Sequence, residues 1–173
     1  MATNLEFIKS ASGSSVSLLD VTDCFSADFD VYYFAVTKMK RASASNFIYI
    51  RFLDSGGTVI DQAEYDYAAQ EIRPYTTFLE VRATGQTLIS QIAYGSSNTE
   101  DMGGISMYVY NPYDSSSYTF TQSQSSSFVN ANGGWGNKTI GVHKNAEQIS
   151  GVRFVAAGSV NLDTIEVSVF GVK

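Results

Sequence analysis

Apolar and polar residues alternate at period two along most of this chain, most cleanly in Asp163 to Lys173. There Ile165, Val167 and Val169 fall on one side, Glu166 and Ser168 on the other. Such alternation marks a strand with one buried face. A strand so near a terminus predicts that the last residues are held in a sheet, or against a partner, because free ends fray. Val31 to Met39 sets Tyr32, Phe34 and Val36 against Val31, Tyr33 and Ala35. With both faces apolar, this strand is expected near the middle of a sheet. Phe47 to Leu53 reads the same way, and Asp54-Ser55-Gly56-Gly57 turns it into Thr58-Val59-Ile60.

Further strands are predicted at Leu5 to Ile8, Val16 to Val21, Thr77 to Ala83, Thr87 to Tyr94, Ile105 to Tyr110, Ser117 to Gln122, Lys138 to His143, Val152 to Ala156 and Thr164 to Val172. The Ser-rich stretch Ser10 to Ser15 reads as a turn. Only Ala63 to Ile72 has a composition open to helix, and its Tyr65-Asp66-Tyr67 centre argues against one. Long loops are expected at Gly95 to Gly104 and at Ser123 to Asn137, the second as a mobile or partner-binding loop around Trp135. Pro74 and Pro112 both fall between strands, where a missing N–H does no harm. About ten short strands with regular turn signals predict one all-β domain over residues 1–173, a jelly-roll-like antiparallel β-sandwich.

Composition adds a surface to that fold. Charged residues make up 16% of the chain, against roughly 25% in an ordinary soluble domain. Ser, Thr, Asn and Gln fill the difference, which suits a protein packed against other protein or exposed outside a cell. A net charge of −6 argues against nucleic acid as a partner. The one basic cluster, Lys38, Lys40 and Arg41, reads as a solvated strand end. The single cysteine, Cys24, excludes an internal disulfide and reads as a buried small residue. The first residues have neither a basic region nor an apolar one, so the chain is expected to be made in a cytoplasm without a cleaved signal. No window approaches the roughly 20 apolar residues of a membrane span, and no membrane partner is expected.

The candidate chemistry is sparse. A single histidine, His143, starves His-based catalytic and zinc sites and reads as a surface or hydrogen-bonded structural residue. Asp61, Glu64 and Asp66 offer the best carboxylate group, with Glu64 and Asp66 sharing one face of an extended strand as a glycosidase pair would. The competing reading is a solvated strand face with Tyr65 and Tyr67 pointing inward, and it is preferred. Calcium at this group, or near Asn161 and Asp163, matches no ordered loop pattern. Trp135, in Asn132-Gly133-Gly134-Trp135-Gly136-Asn137, reads as an interface anchor or loop plug, or else as a sugar platform. The sequon Asn137-Lys138-Thr139 means little without secretion. No catalytic residue, cofactor or metal is expected.

Three segments carry a resemblance. They are Phe52-Leu53-Asp54-Ser55-Gly56-Gly57-Thr58-Val59-Ile60 with Tyr65-Asp66-Tyr67, then Ile149-Ser150-Gly151-Val152-Arg153-Phe154, and the terminus Phe170-Gly171-Val172-Lys173. In these the chain resembles small β-rich virion proteins of tailed phages, especially marine and cyanobacterial phages. The resemblance implies a jelly-roll-like sandwich seated on a capsid as a decoration or cement protein. Its partners would be the major capsid protein and copies of itself, most simply as a homotrimer. The alternative is a receptor- or glycan-binding module of a tail or tail fibre. Trp135 and Tyr113 would then make the partner or glycan contact. The family offers no catalytic residues to carry over.

Overall fold

A computed structural model describes residues 4–43, 46–98, 102–129 and 133–173. Among these lie twelve strands and no helix: β1 (Leu5–Val16), β2 (Leu18–Val21), β3 (Val31–Arg41), β4 (Asn46–Asp54), β5 (Tyr65–Ile72), β6 (Leu79–Gln86), β7 (Ile89–Gly95), β8 (Gly103–Tyr110), β9 (Thr119–Val129), β10 (Gly133–His143), β11 (Ile149–Ala156) and β12 (Leu162–Val172). The all-β sandwich expectation holds, with two strands more than the ten expected. One sheet has eight strands in the order β1-β12-β3-β8-β9-β10-β5-β6, the other four in the order β2-β11-β4-β7.

Every ladder is antiparallel, and four of them nest. β1 pairs β12, β2 pairs β11, β3 pairs β8 and β4 pairs β7, with alternate pairs in alternate sheets. The chain is thus wound as one long folded-over hairpin. Two further hairpins, β5–β6 and β9–β10, are inserted into that winding and add four strands to one side of the large sheet. β12 is flanked by β1 and β3, so its placement inside a sheet is as the alternation predicts. β3 is likewise internal.

One apolar cluster lies between the sheets. Tyr32, Phe34 and Val36 of β3, Met107 and Val109 of β8, and Ile165, Val167 and Val169 of β12 meet Val21, Ile48, Ile50, Phe52, Val152 and Phe154 of the small sheet. Burying side chains of this size contributes about 1.5–3 kcal/mol each relative to exposure. The inserted half differs. There β7 lies against β9, β10 and β5, and the buried inward residues include Thr119, Thr121, Ser123, Asn137 and Thr139.

The doubt over a helix at Ala63 to Ile72 resolves to strand, since Tyr65 to Ile72 forms β5, pairing both β10 and β6. Two local expectations change. Ser10 to Ser15 is no turn but the second half of β1, in register with β12. Its inward residues, Ala11 and Gly13, are small, and its serines face water on an edge strand, so polar composition there hides a strand. Ser123 to Asn137 is mostly a hairpin rather than a loop: Gly133 to His143 pairs with Thr119 to Val129 residue for residue. Residues 130–132 of that stretch lie outside the described residues, as do residues 99–101 of the expected Gly95 to Gly104 loop.

Candidate functional site

The pairing registers place one unbroken row of outward residues across all eight strands of the large sheet. It runs Phe7, Phe170, Tyr33, Tyr108, Gln122, Ile140, Ala68, Arg82. Phe7 packs edge-on to Phe170 at 5.8 Å, and Tyr33 lies 6.2 Å from Phe170 and 5.1 Å from Tyr108. Beside it runs a second row containing Val31, Tyr110, Phe120 and Val142. On the other side the row is polar: Ser10, Ser168, Ala35, Ser106, Gln124, Lys138, Gln70, Glu80. The outer face therefore carries an aromatic band along one end and hydroxyls and amides along the other.

Much of that band is open to solvent. Phe7 and Ile140 are each 59% exposed, and Tyr108, Phe120 and Leu5 are also exposed. Between Ala68, Ala83, Tyr110, Phe120, Ile140 and Val142 the sheet surface forms a groove of about 830 Å³. Seven inter-strand steps make the band roughly 34 Å long, with its two rows roughly 7 Å apart. Exposed apolar patches larger than the roughly 300–600 Å² of a typical monomer mark interaction sites.

The expected contact residues are separated. Trp135 is only 7% exposed. β10 turns it inward, where it stacks on Tyr94 at 4.2 Å, while the Arg73 guanidinium covers its other face at 3.9 Å. Both ring faces are taken, so no sugar can stack there without unpacking the sandwich. Tyr113 is 39% exposed, on the connection from β8 to β9. Trp135 opposes Ser127, whereas the strand end nearest Tyr113 pairs Tyr110 with Phe120. The two lie toward opposite ends of β9 and do not make one surface.

The acidic group also divides. Asp61 accepts a hydrogen bond from the neighbouring Gln62 amide at 3.0 Å. Asp66 pairs with Lys144 at 2.8 Å and accepts from the Gly85 N–H at 2.7 Å. These contacts hold its carboxyl below the ordinary value of 3.8, the Lys144 hydrogen bond being the larger cause. Glu64 instead reaches His143, Oε2 to Nε2 at 3.1 Å, and Glu147 Oε1 approaches the same nitrogen at 3.5 Å. Glu64 and Asp66 thus serve different partners. Tyr65 and Tyr67 do face inward. His143 is fully buried, against the rings of Tyr65 at 5.0 Å and Phe52 at 6.1 Å. The Tyr65 hydroxyl donates to Ile60 O at 3.0 Å and accepts from the Phe52 N–H at 3.1 Å, and burial pushes its pKa upward.

The basic cluster is a solvated strand end only at Lys38, which is half exposed. Lys38 pairs with Glu166 at 2.8 Å and Lys40 with Asp163 at 2.9 Å. Arg41 is buried, its stem under Gly95 and its guanidinium donating to Ala157 O, and burial lowers its pKa. The inward register of β3 and the absence of a side chain at Gly95 make room for it. Asp163 is engaged by Lys40, and the Asn161 amide donates to Ser15 O at 3.0 Å, so each has a protein partner. Asn137 and Thr139 of the sequon are buried within β10, and Cys24 is buried as expected.

The aromatic band went unseen in the sequence because its aromatic members sit on five strands and only register aligns them. Its one local signal is that Phe120 and Ile140 alternate with Thr121, Thr139 and Gly141, so whichever side faces in, a large apolar or a polar row is misplaced. No family model matches the chain, and no curated protein or solved structure is significantly similar to it.

Proposed function

We propose that this chain is a non-enzymatic structural protein of a phage virion, a decoration or cement protein that docks on the shell of major capsid protein. The observation that carries the reading is the exposed aromatic band across the eight-stranded sheet, with a polar row beside it and few charges within it. Such a surface suits a flat protein partner, since the buried centre of an interface is depleted in charge and rich in Tyr and Phe. The nested pairing of β1·β12, β2·β11, β3·β8 and β4·β7 supports a jelly-roll reading of the sandwich, widened by two hairpins. The resemblance of Phe170-Gly171-Val172-Lys173 and its companion segments to tailed-phage virion proteins supplies the setting.

Contact with copies of itself, as a homotrimer, falls to the sheet edges. β6 pairs on one side only, and it exposes Leu79 with Phe78 just before it. An unpaired apolar edge invites strand addition unless another chain covers it, and closed symmetry covers it. The receptor- or glycan-binding alternative draws less support, because Trp135 has both ring faces covered.

Quantitative mass spectrometry of purified particles tests the reading. One copy per capsid subunit, or a simple fraction of one, is the expected result. A handful of copies would move the protein to the tail, and absence from particles would overturn the proposal. The double variant Phe120→Ser/Ile140→Ser should fold yet fail to bind emptied shells.

A further inference from the structure

We propose that Glu64, His143 and Glu147 form a binding site for one borderline divalent transition-metal ion, with Zn²⁺ the best-fitting probe. Three separate segments converge there. His143 ends β10, Glu64 immediately precedes β5, and Glu147 lies on the connection from β10 to β11. The imidazole is fully buried between apolar rings and sends only Nε2 toward the carboxylates. Nε2 lies 3.1 Å from Glu64 Oε2 and 3.5 Å from Glu147 Oε1, and the three ligand atoms all fall within 4.8 Å of one another.

Those separations match coordination geometry. Tetrahedral zinc with bonds of about 2.0–2.1 Å has ligand atoms about 3.3 Å apart. Two of the three edges already bracket that value. The third closes by rotation of glutamates whose side chains are about one-third exposed, at 33% and 30%. The same exposure gives the ion an entry path and leaves room for water as a fourth ligand.

The surroundings hold the ligands in place. The Lys144 N–H donates to Glu64 O at 2.8 Å, tying the backbone of the β5 approach to the residue after His143. The Lys144 ammonium, the nearest sequence cation, is drawn onto Asp66 at 2.8 Å. The Ile149 N–H donates to Pro112 O at 2.8 Å and anchors the far end of the Glu147 connection.

Ligand chemistry selects the ion. One imidazole nitrogen and two carboxylates suit zinc, cobalt, nickel or manganese. Calcium needs six to eight oxygens and magnesium keeps most of its water, so neither finds its shell here. Two carboxylates crowd one imidazole nitrogen here, an arrangement whose negative charge a divalent cation offsets. The His143 Nδ1 has no hydrogen-bond partner among the described residues. Outer partners of that kind are worth roughly 10–100-fold in metal affinity, so this is a site of moderate affinity. When filled, it clasps the β5 approach, the end of β10 and the β10–β11 connection at one end of the sandwich.

Isothermal titration of the full chain, stripped with chelator, with ZnCl2 tests the site. The expected result is one Zn²⁺ per chain, a thermal midpoint that rises with zinc, and no competition from Mg²⁺ or Ca²⁺. Co²⁺ in place of zinc should give visible bands of a four- or five-coordinate site. Glu147→Gln lies on a connection and should leave the fold intact while weakening binding at least tenfold. Glu64→Gln should do the same, and Asp61→Asn should change nothing. His143→Gln removes a fully buried group, so the two glutamate variants carry the test if it fails to fold. No saturable binding up to millimolar zinc, or binding as tight as wild type in both glutamate variants, would overturn the site.

Discussion

The indole of Trp135 lies face to face with the phenol ring of Tyr94, 4.2 Å between centroids and 16° between planes. The first belongs to β10 of the large sheet and the second to β7 of the small one, so the stack joins the two layers of the sandwich. Phe47 packs edge-on to Tyr94 at 4.8 Å and approaches Trp135 at 6.5 Å. With Arg73 on the opposite indole face, the ring is enclosed on both sides. Trp135→Ala should therefore destabilise the chain by about 3–5 kcal/mol in denaturant unfolding, the range for deleting a buried aromatic side chain. As this is the sole tryptophan, native emission should be blue-shifted and poorly quenched by iodide. Emission near that of free tryptophan would mean the ring is open after all.

Gly171 is the next residue whose role is set by a close approach. A Cβ built on it would meet the Phe29 ring at 2.5 Å, well inside contact distance. The ring of Phe29 lies over the β12 backbone and packs edge-on against Tyr32 at 5.8 Å. Gly171→Ala should cost about 1–3 kcal/mol through overpacking. Adding Phe29→Leu should recover part of that loss, a coupling that thermal denaturation of the four chains in a double-mutant cycle would measure. Additive effects would show that the two residues do not touch.

The pattern of the chain made β3, β4, β8 and β12 legible, because each buries one clean apolar row between the two sheets. It misled where composition and side disagree. In β9 the inward residues are Thr119, Thr121 and Ser123, while Phe120 faces solvent. Period two reports that neighbours differ in side, not which side is inside, so Ser123 to Asn137 resembles a polar loop. In β7, where Leu88, Ser90, Ile92 and Tyr94 would share one face of a regular strand, alternation fails for a different reason. Gln91 adopts φ of 62°, and two residues of β4 span four of β7 between Ile50↔Ile89 and Ile48↔Ala93. That bulge turns Ile89, Gln91, Ile92 and Ala93 all into the interior. The Glu64–His143 contact spans 79 residues, and no local spacing could announce it.

The polar interior of the inserted half yields a paired prediction with opposite signs. The Thr121 hydroxyl is buried with no hydrogen-bond partner among the described residues. The Thr139 hydroxyl, one strand away, donates to Gln91 O at 2.6 Å. An unsatisfied buried hydroxyl costs about 1–3 kcal/mol, and a satisfied one contributes about 1 kcal/mol net. Thr121→Val should thus raise stability by about 1 kcal/mol, whereas Thr139→Val should lower it by about the same amount. Urea unfolding of both variants decides the matter. Equal losses in the two would show that Thr121 is satisfied.

Alkaline pH should expose the burial of Cys24. Burial pushes its thiol from 9.0 up to about 12, and the nearby Lys9 offsets only part of that rise. The folded chain therefore keeps the proton over a range in which the unfolded chain releases it. Below about pH 9 both states hold the proton and the group is neutral in its effect. As pH rises past that value the unfolded state binds fewer protons, so stability falls, by about 1.4 kcal/mol per pH unit for one group at most. Tyr65 shifts in the same direction but from a starting value of 10.0, so the interval from about pH 8.5 to 10 isolates the cysteine. Over that interval wild type should lose about 1 kcal/mol more than Cys24→Ala, read from denaturant midpoints. Native protein should react slowly with a thiol reagent at about pH 8 and promptly once unfolded. Parallel stability curves for the two chains would mean that the thiol ionises within the fold, and that the Val21 carbonyl, 3.4 Å from Sγ, does not sit in a dry interior.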